Sequence, residues 1–275
     1  MFPSMKRIWS IVDNYSEDSE WVQSLYTRAE LYLRAIDKLK INSLRHPDNV
    51  VATQYMYDFA FLILLITGFF DNLAWLICKI YGIEVKEKRL VREDIIKNDV
   101  RLDKLNGERK FIKAVQEKCQ SLHDFLSAEL TQAKINLVYP IRDSVVHRDY
   151  LTAVRYMDVQ KKIDAVYLKV SPEISRKFEN LIGLGEDIGH CFLYRRIGRS
   201  AVTDVTVGNT NVYGASEDMY IIPYEFINMI DKAARGLING ILDIIATSKN
   251  QDISNSDSPT GIFEFLGADI EPLYF

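Results

Sequence analysis

The chain has 275 residues, with 48% hydrophobic and 26% charged positions, a globular balance that excludes a disordered or collagen-like polymer. Its formal charge of −4 argues against a dedicated high-affinity DNA-binding domain, which is usually strongly basic. Three widely spaced cysteines, Cys78, Cys119 and Cys191, form no disulfide framework and point to a reducing, cytoplasmic setting.

Met1 to Ser10 carries Lys6 and Arg7 with no apolar run behind them, so no signal peptide is expected. Trp21, Val22, Leu25, Ala29, Leu33, Ile36 and Leu39 recur at helical spacing and predict a helix from near Ser19 to about Asn42. Pro47 then forces a turn.

A long helix is expected from Val50 to Tyr81, with Gly82 as its left-handed end. At 1.5 Å per residue it would extend about 48 Å. Within it, Phe59 to Phe70 is apolar apart from Thr67 and Gly68. A membrane span needs roughly 20 such residues, and Asp71 and Asn72 arrive first, so the stretch predicts a buried helix and no membrane contact. Asp71 and Asn72 admit two readings. They form a capped kink at Gly68 or a hydrogen bond to a neighbouring helix, or one of them lines a cavity shared with Arg142.

Lys86 to Lys110 is charge-dense and reads as a surface connection with a short helix near Arg92 to Asn98. A third helix is expected from Gly107, its stripe being Phe111, Ile112, Val115, Cys119, Leu122 and Phe125. Cys119 and His123 are four apart, but zinc wants four ligands and no second pair is visible. They read as a core cysteine beside a surface histidine, and no metal or other cofactor is expected.

A fourth helix follows from Glu129, with Ala133, Leu137, Val138, Ile141 and Val145 on one side. Pro140 either kinks it or begins a new helix at its first position. After Tyr150 the pattern alternates. Leu151–Met157, Asp164–Val170, Val202–Val207, Asn211–Tyr213 and Met219–Ile222 read as strands, with a short helix at Pro172–Leu181 ended by Gly183. Gly183, Gly185 and Gly189 imitate a nucleotide loop. A helix precedes them, and Glu186 and Asp187 would repel phosphate, so the run is structural.

A last helix is expected from Pro223 to about Thr247. Ser248 to Thr260 reads as a flexible linker, and Gly261 to Phe275 as an apolar, acidic tail that docks on this chain or on a partner. The organisation is therefore mainly α: a bundle from 1–149 and 223–247, an α+β insertion at 150–222, and a linker and tail at 248–275.

The chemistry is concentrated in Tyr139 to Tyr150, where Arg142, Asp143 and His147 fall within six residues. Asp143 and His147 are four apart, so on a helix their side chains can meet, and the carboxylate would orient the imidazole. Arg142 and His147 are five apart, about 140° round an ideal helix. A two-fold dimer would gather two arginines and two histidines around one groove. If Pro140 starts a helix, Arg142 and Asp143 lie in its first turn, which suits a phosphate. A base beside an arginine, without a metal constellation, fits RNA transesterification. The base activates the ribose 2′-hydroxyl, arginine stabilises the developing charge, and the products are a 2′,3′-cyclic phosphate and a 5′-hydroxyl. Arg148 and Arg155 lie downstream. Tyr194-Arg195-Arg196-Ile197-Gly198-Arg199 is the densest basic-aromatic cluster, read either as a backbone-phosphate contact or as a solvated turn before a strand.

The segment Ile141-Arg142-Asp143-Ser144-Val145-Val146-His147 resembles the signature of the HEPN superfamily, in which an arginine, a polar residue and three further positions precede a histidine. The order of helices is similar, with Phe69-Phe70-Asp71-Asn72-Leu73-Ala74-Trp75-Leu76 on the second long helix. The resemblance covers 19–148 and 223–247. It implies a helical, dimeric fold, often a metal-independent endoribonuclease of defence or toxin–antitoxin systems. Arg142 and His147 would be the catalytic pair and Asp143 the supporting polar residue, with an antitoxin or sensor protein as possible partner. Other members of the superfamily serve as non-catalytic binding or assembly modules. Some HEPN toxins carry a tyrosine two residues after the histidine, modified by a partner nucleotidyltransferase; that position is Asp149 here, and Tyr150 follows it.

Overall fold

The computed structural model describes residues 19–46, 48–103, 110–145, 152–158, 163–184, 192–197, 201–206, 219–221 and 223–248. The described chain is mainly helical. Helix α1 runs Ser19–Ser43 and α2 Asn49–Tyr81, and the two pack along their length. Leu25, Ala29, Tyr32, Ala35, Ile36 and Leu39 form the buried face of α1. Tyr32, absent from the expected stripe, is among the largest fully buried side chains.

Both ends of α2 follow from local chemistry. The Asp48 carboxylate accepts the Val51 N–H at 2.6 Å, satisfying a donor that the first turn leaves open. At the far end Gly82 sits at φ 62°, ψ 38°, where a side chain would be strained. The Ile83 N–H reaches back to the Cys78 carbonyl at 2.8 Å, and Ile83 is itself buried, the usual pairing of backbone and apolar contact at such an end. By length and composition α2 could cross a bilayer, but 67% of its most apolar window is buried inside the fold.

The connection after α2 carries a short 3-10 turn at Lys97–Asp99 in place of the expected helix near Arg92–Asn98. It is also less superficial than its charge suggests. Val100, Leu102 and the carboxylate residue Asp103 are buried.

The single third helix expected from Gly107 is two helices in the structure, α3 (Lys110–Lys118) and α4 (Gln120–Ser127), with residues 104–109 outside the description. Between them Cys119 adopts an extended backbone, φ −154°, ψ 93°. The break re-aims the second half: Leu122, His123 and Leu126 are buried. Phe125, expected in the stripe, is partly buried against the core and lies against Gly240 of the last helix, where a Cβ would come within 2.9 Å of its ring carbon Cε2.

Helix α5 (Glu129–Asp143) contains Pro140 in its interior, so the alternative in which Pro140 opens a new helix is overturned. Between α5 and the last helix the backbone forms strands β1 (Thr152–Asp158), β2 (Ile163–Val170), β3 (Phe192–Ile197), β4 (Ala201–Thr206) and β5 (Met219–Ile221), with helix α6 (Pro172–Gly183) between β2 and β3. The order across the sheet is β1-β2-β5-β3-β4, each neighbouring pair antiparallel. The expected strand at 211–213 lies outside the described residues.

Helix α7 (Pro223–Ser248) closes the bundle against α1, α4 and α5. Its Asp231 carboxylate accepts the Tyr32 hydroxyl of α1 and is gripped by Arg235 at 2.6 and 3.0 Å. A second polar tie joins α1 to α2. The buried Asp58 carboxylate accepts from Asn42 at 2.8 Å and from Gln54 at 2.9 Å, and Lys38 pairs with it at 2.8 Å. Both of these buried carboxylates are thus partnered, as burial demands.

Candidate functional site

The last turn of α5 carries Tyr139, Arg142 and Asp143. Tyr139 and Arg142 are three apart and share a face. The Arg142 Nη1 donates to Asp143 Oδ1 at 2.8 Å, and both side chains remain partly open, at 34% and 47% exposure. One oxygen of the Asp143 carboxylate thus holds the arginine, and His147, which that carboxylate was expected to orient, lies outside the described residues.

Because α5 runs through Pro140, Arg142 lies late in that helix and not in a first turn, and the backbone stays helical through Ser144 and Val145. The phosphate-binding argument from a helix N-terminus falls, since Arg142 has no open first-turn N–H groups beside it. Any attraction for phosphate must come from arginine itself.

Of the two polar residues left open on α2, the structure separates the roles. The Asn72 amide donates to Ser24 Oγ of α1 at 3.2 Å, a helix-to-helix tie. Adjacent helical positions are 100° apart, and Asp71 faces α5 instead. Its Oδ1 accepts the Tyr139 hydroxyl at 2.8 Å, and Arg142 lies near enough to act on its charge. Gly68 marks no break in α2. It leaves room for the Arg28 guanidinium, whose Cζ would lie 3.4 Å from an added Cβ.

Two contributors went unread in the sequence. Arg101 lies with its Cζ 4.3 Å from the centre of the Tyr139 ring, and its Nε is 3.1 Å from Asp103 Oδ1. That contact is an ion pair without hydrogen-bond alignment, so Arg101 Nε and Nη2 have no acceptor among the described residues. The only sequence signal was the period-two run Val100-Arg101-Leu102-Asp103, hidden inside a segment that otherwise reads as solvated.

The electrostatics centre on Asp71. Burial, the larger influence, raises its pKa. The Tyr139 hydrogen bond and the charges of Arg101 and Arg142 oppose that, and Asp103 adds to it. The Tyr139 hydroxyl is held well above its ordinary pKa by burial and by the Asp71 charge, so it remains a donor. Asp71 Oδ2 makes no hydrogen bond to a described residue, and the residue is only half-buried. What results is a carboxyl group with one oxygen anchored and the other open, beside a partly exposed arginine.

The remaining predicted residues are not brought to this place by the described structure. Arg148 and Arg199 lie outside it, and the side chains of Arg195 and Arg196 do too, although their backbone does not. Arg195 stands opposite Thr203 and Arg196 opposite Val202 in the β3–β4 pairing. Tyr194 to Ile197 is thus strand and not turn, while Gly198 and Arg199 lie outside the described residues.

Cys119 and His123 make separate contacts. The cysteine Sγ lies 3.4 Å from Ser121 Oγ, and the histidine Nε2 lies 3.2 Å from Ser127 Oγ. His123, expected at the surface, is buried. Among the described residues no group of three His, Cys, Asp or Glu side chains could hold a metal ion.

Comparison with protein-family models, with characterised proteins and with solved structures finds no match to this chain.

Proposed function

We propose that the chain is a metal-independent endoribonuclease of HEPN type. Arg142 stabilises charge on the scissile phosphate, and His147 takes the proton of the ribose 2′-hydroxyl. Attack of that oxygen on phosphorus yields a 2′,3′-cyclic phosphate and a free 5′-hydroxyl. The observation that carries this reading is the setting of Arg142: partly exposed, held by Asp143 at 2.8 Å, and backed by the half-buried Asp71 and by Tyr139. A guanidinium fixed in orientation and open on one side is the group needed at a phosphorane, because its donors need no reorganisation as charge develops.

On this reading the protein acts as a homodimer, with the sheet-bearing 150–222 segment as an insertion in the helical bundle. Arg148, Arg195, Arg196 and Arg199 would contact the RNA backbone. The setting would be cytoplasmic defence or toxin–antitoxin function, with an antitoxin or sensor as partner. The test is cleavage of single-stranded or transfer RNA in EDTA. His147→Ala should lose about 10²–10⁴-fold in rate. Equal cleavage by wild type and His147→Ala rejects the proposal.

A second reading, a non-catalytic dimeric binding or assembly module, is favoured by one feature. Along α2, Val50, Tyr57, Phe61 and Leu64 are exposed, the first two by 71% and 69%. Successive residues of this stripe are seven, four and three positions apart, so they follow one helical face. Loss of dimerisation in Arg142→Ala, with no RNA cleavage by wild type, selects this reading. An intact dimer that stops cleaving rejects it.

A further inference from the structure

Transesterification of RNA needs two proton transfers, and the sequence motif accounts for one. A base removes the proton from the 2′-hydroxyl. The departing 5′-oxygen must also receive one, since an alkoxide is a poor leaving group near neutral pH. Arginine cannot supply it, because its guanidinium does not titrate in this range. A second acid must therefore stand within reach of the phosphate that Arg142 binds.

We infer that Asp71 is this acid: its Oδ2 donates the proton to the 5′-oxygen as the phosphorus–oxygen bond breaks. The inference rests on the ribonuclease reading above. The new bond joins the 2′-oxygen to phosphorus. The pair of the broken bond goes to the 5′-oxygen, which takes the proton from Asp71. The 2′-hydroxyl proton goes to the base, which then releases it to solvent as Asp71 takes one up, so no net proton is consumed.

Three features of the placement carry the assignment. Asp71 reaches the cluster from α2, a different helix from the one bearing Arg142, so one phosphate can be approached from two sides. Tyr139 anchors Oδ1 at 2.8 Å, which fixes the carboxyl plane and leaves Oδ2 without a protein partner among the described residues. The charged groups around it are Arg101 and Asp103 from the connection after α2, and Arg142 from α5. Burial, the largest influence, raises the Asp71 pKa, as does Asp103, while the Tyr139 hydrogen bond and the two arginines lower it. A carboxyl that burial makes hold its proton more tightly is a familiar starting point for a general acid.

The experiment compares wild type with Asp71→Asn on two RNA substrates, one natural and one with sulfur in place of the 5′-bridging oxygen. A thiolate leaves without a proton. Asn has nearly the same shape as Asp, and its carbonyl can still accept the Tyr139 hydrogen bond. On the natural substrate Asp71→Asn should lose about 10²-fold or more in kcat/KM, together with the alkaline fall of the pH profile. On the 5′-thio substrate it should match wild type, whereas Arg142→Gln should stay impaired on both. An equal defect on both substrates, or no defect on either, overturns the role of Asp71 and leaves the ribonuclease reading standing. Failure of wild type to cleave either substrate overturns both.

Discussion

Tyr139 and Asp71 lie 68 positions apart in sequence, yet they meet across the bundle in a hydrogen bond of 2.8 Å. The bond joins the helix that carries Arg142 to the long apolar helix, and it places a carboxyl beside the only arginine of the Arg-x4-His motif. Tyr139 is almost wholly buried, so its hydroxyl has lost water and depends on this acceptor.

Replacing that hydroxyl tests the joint. Tyr139→Phe keeps the ring under Arg101 but leaves Asp71 without its donor. The variant should lose about 1–3 kcal/mol of stability, the range for removing the partner of a buried polar group. It should also raise the Asp71 pKa further, because this bond is the largest influence lowering it. Urea unfolding of both proteins measures the first effect, and carboxyl NMR titration the second. An unchanged midpoint together with an unchanged titration would show that the contact contributes nothing.

The direction of the Asp71 shift fixes how stability should vary with pH. A carboxyl whose pKa is higher in the folded chain binds its proton more tightly there. Its contribution is fully present below the unfolded value, about 3.9, and is lost as pH rises through the folded value. Asn does not titrate. Asp71→Asn should therefore gain stability relative to wild type as pH climbs from below 3.9 to neutrality. Unfolding curves for the two proteins across that range check it, and an Asp71→Asn protein that loses stability relative to wild type with rising pH contradicts the shift. A neutral replacement that stabilises a protein while stopping its chemistry marks a residue kept for function.

Two glycines four residues apart on α7 should respond oppositely to alanine. At Gly240 an added Cβ would press on the Phe125 ring, within 3.2 Å of Cε1 and closer still to other ring atoms. Gly240→Ala should cost about 1–3 kcal/mol, the usual penalty for overpacking. At Gly236 nothing lies within 4 Å, and Gly236→Ala should stabilise by about 0.4–1 kcal/mol by restricting the unfolded chain. Thermal melts of the two variants decide it. A tolerated Gly240→Ala would mean that Phe125 does not pack on α7 as described.

Local patterns in the chain determined α1, α2 and α7 nearly to the residue. Their apolar periodicity, the capping Asp48 and the left-handed Gly82 are properties of neighbours in sequence. Such patterns also singled out Arg142 and left Asp71 or Asn72 open. Only tertiary packing assigned one to Tyr139 and the other to Ser24, because two adjacent side chains 100° apart find different helices. Packing likewise split the third helix at Cys119, where continuous periodicity hides a single extended residue. It drew Val100, Leu102 and Asp103 inward from a segment whose charge signalled solvent. It kept Pro140 inside α5, which took Arg142 out of any first turn. Neighbouring residues can encode helix and turn, since those interactions span a few positions. Which carboxyl stands beside the arginine depends on contacts between segments distant in the chain, and only the assembled core supplies them.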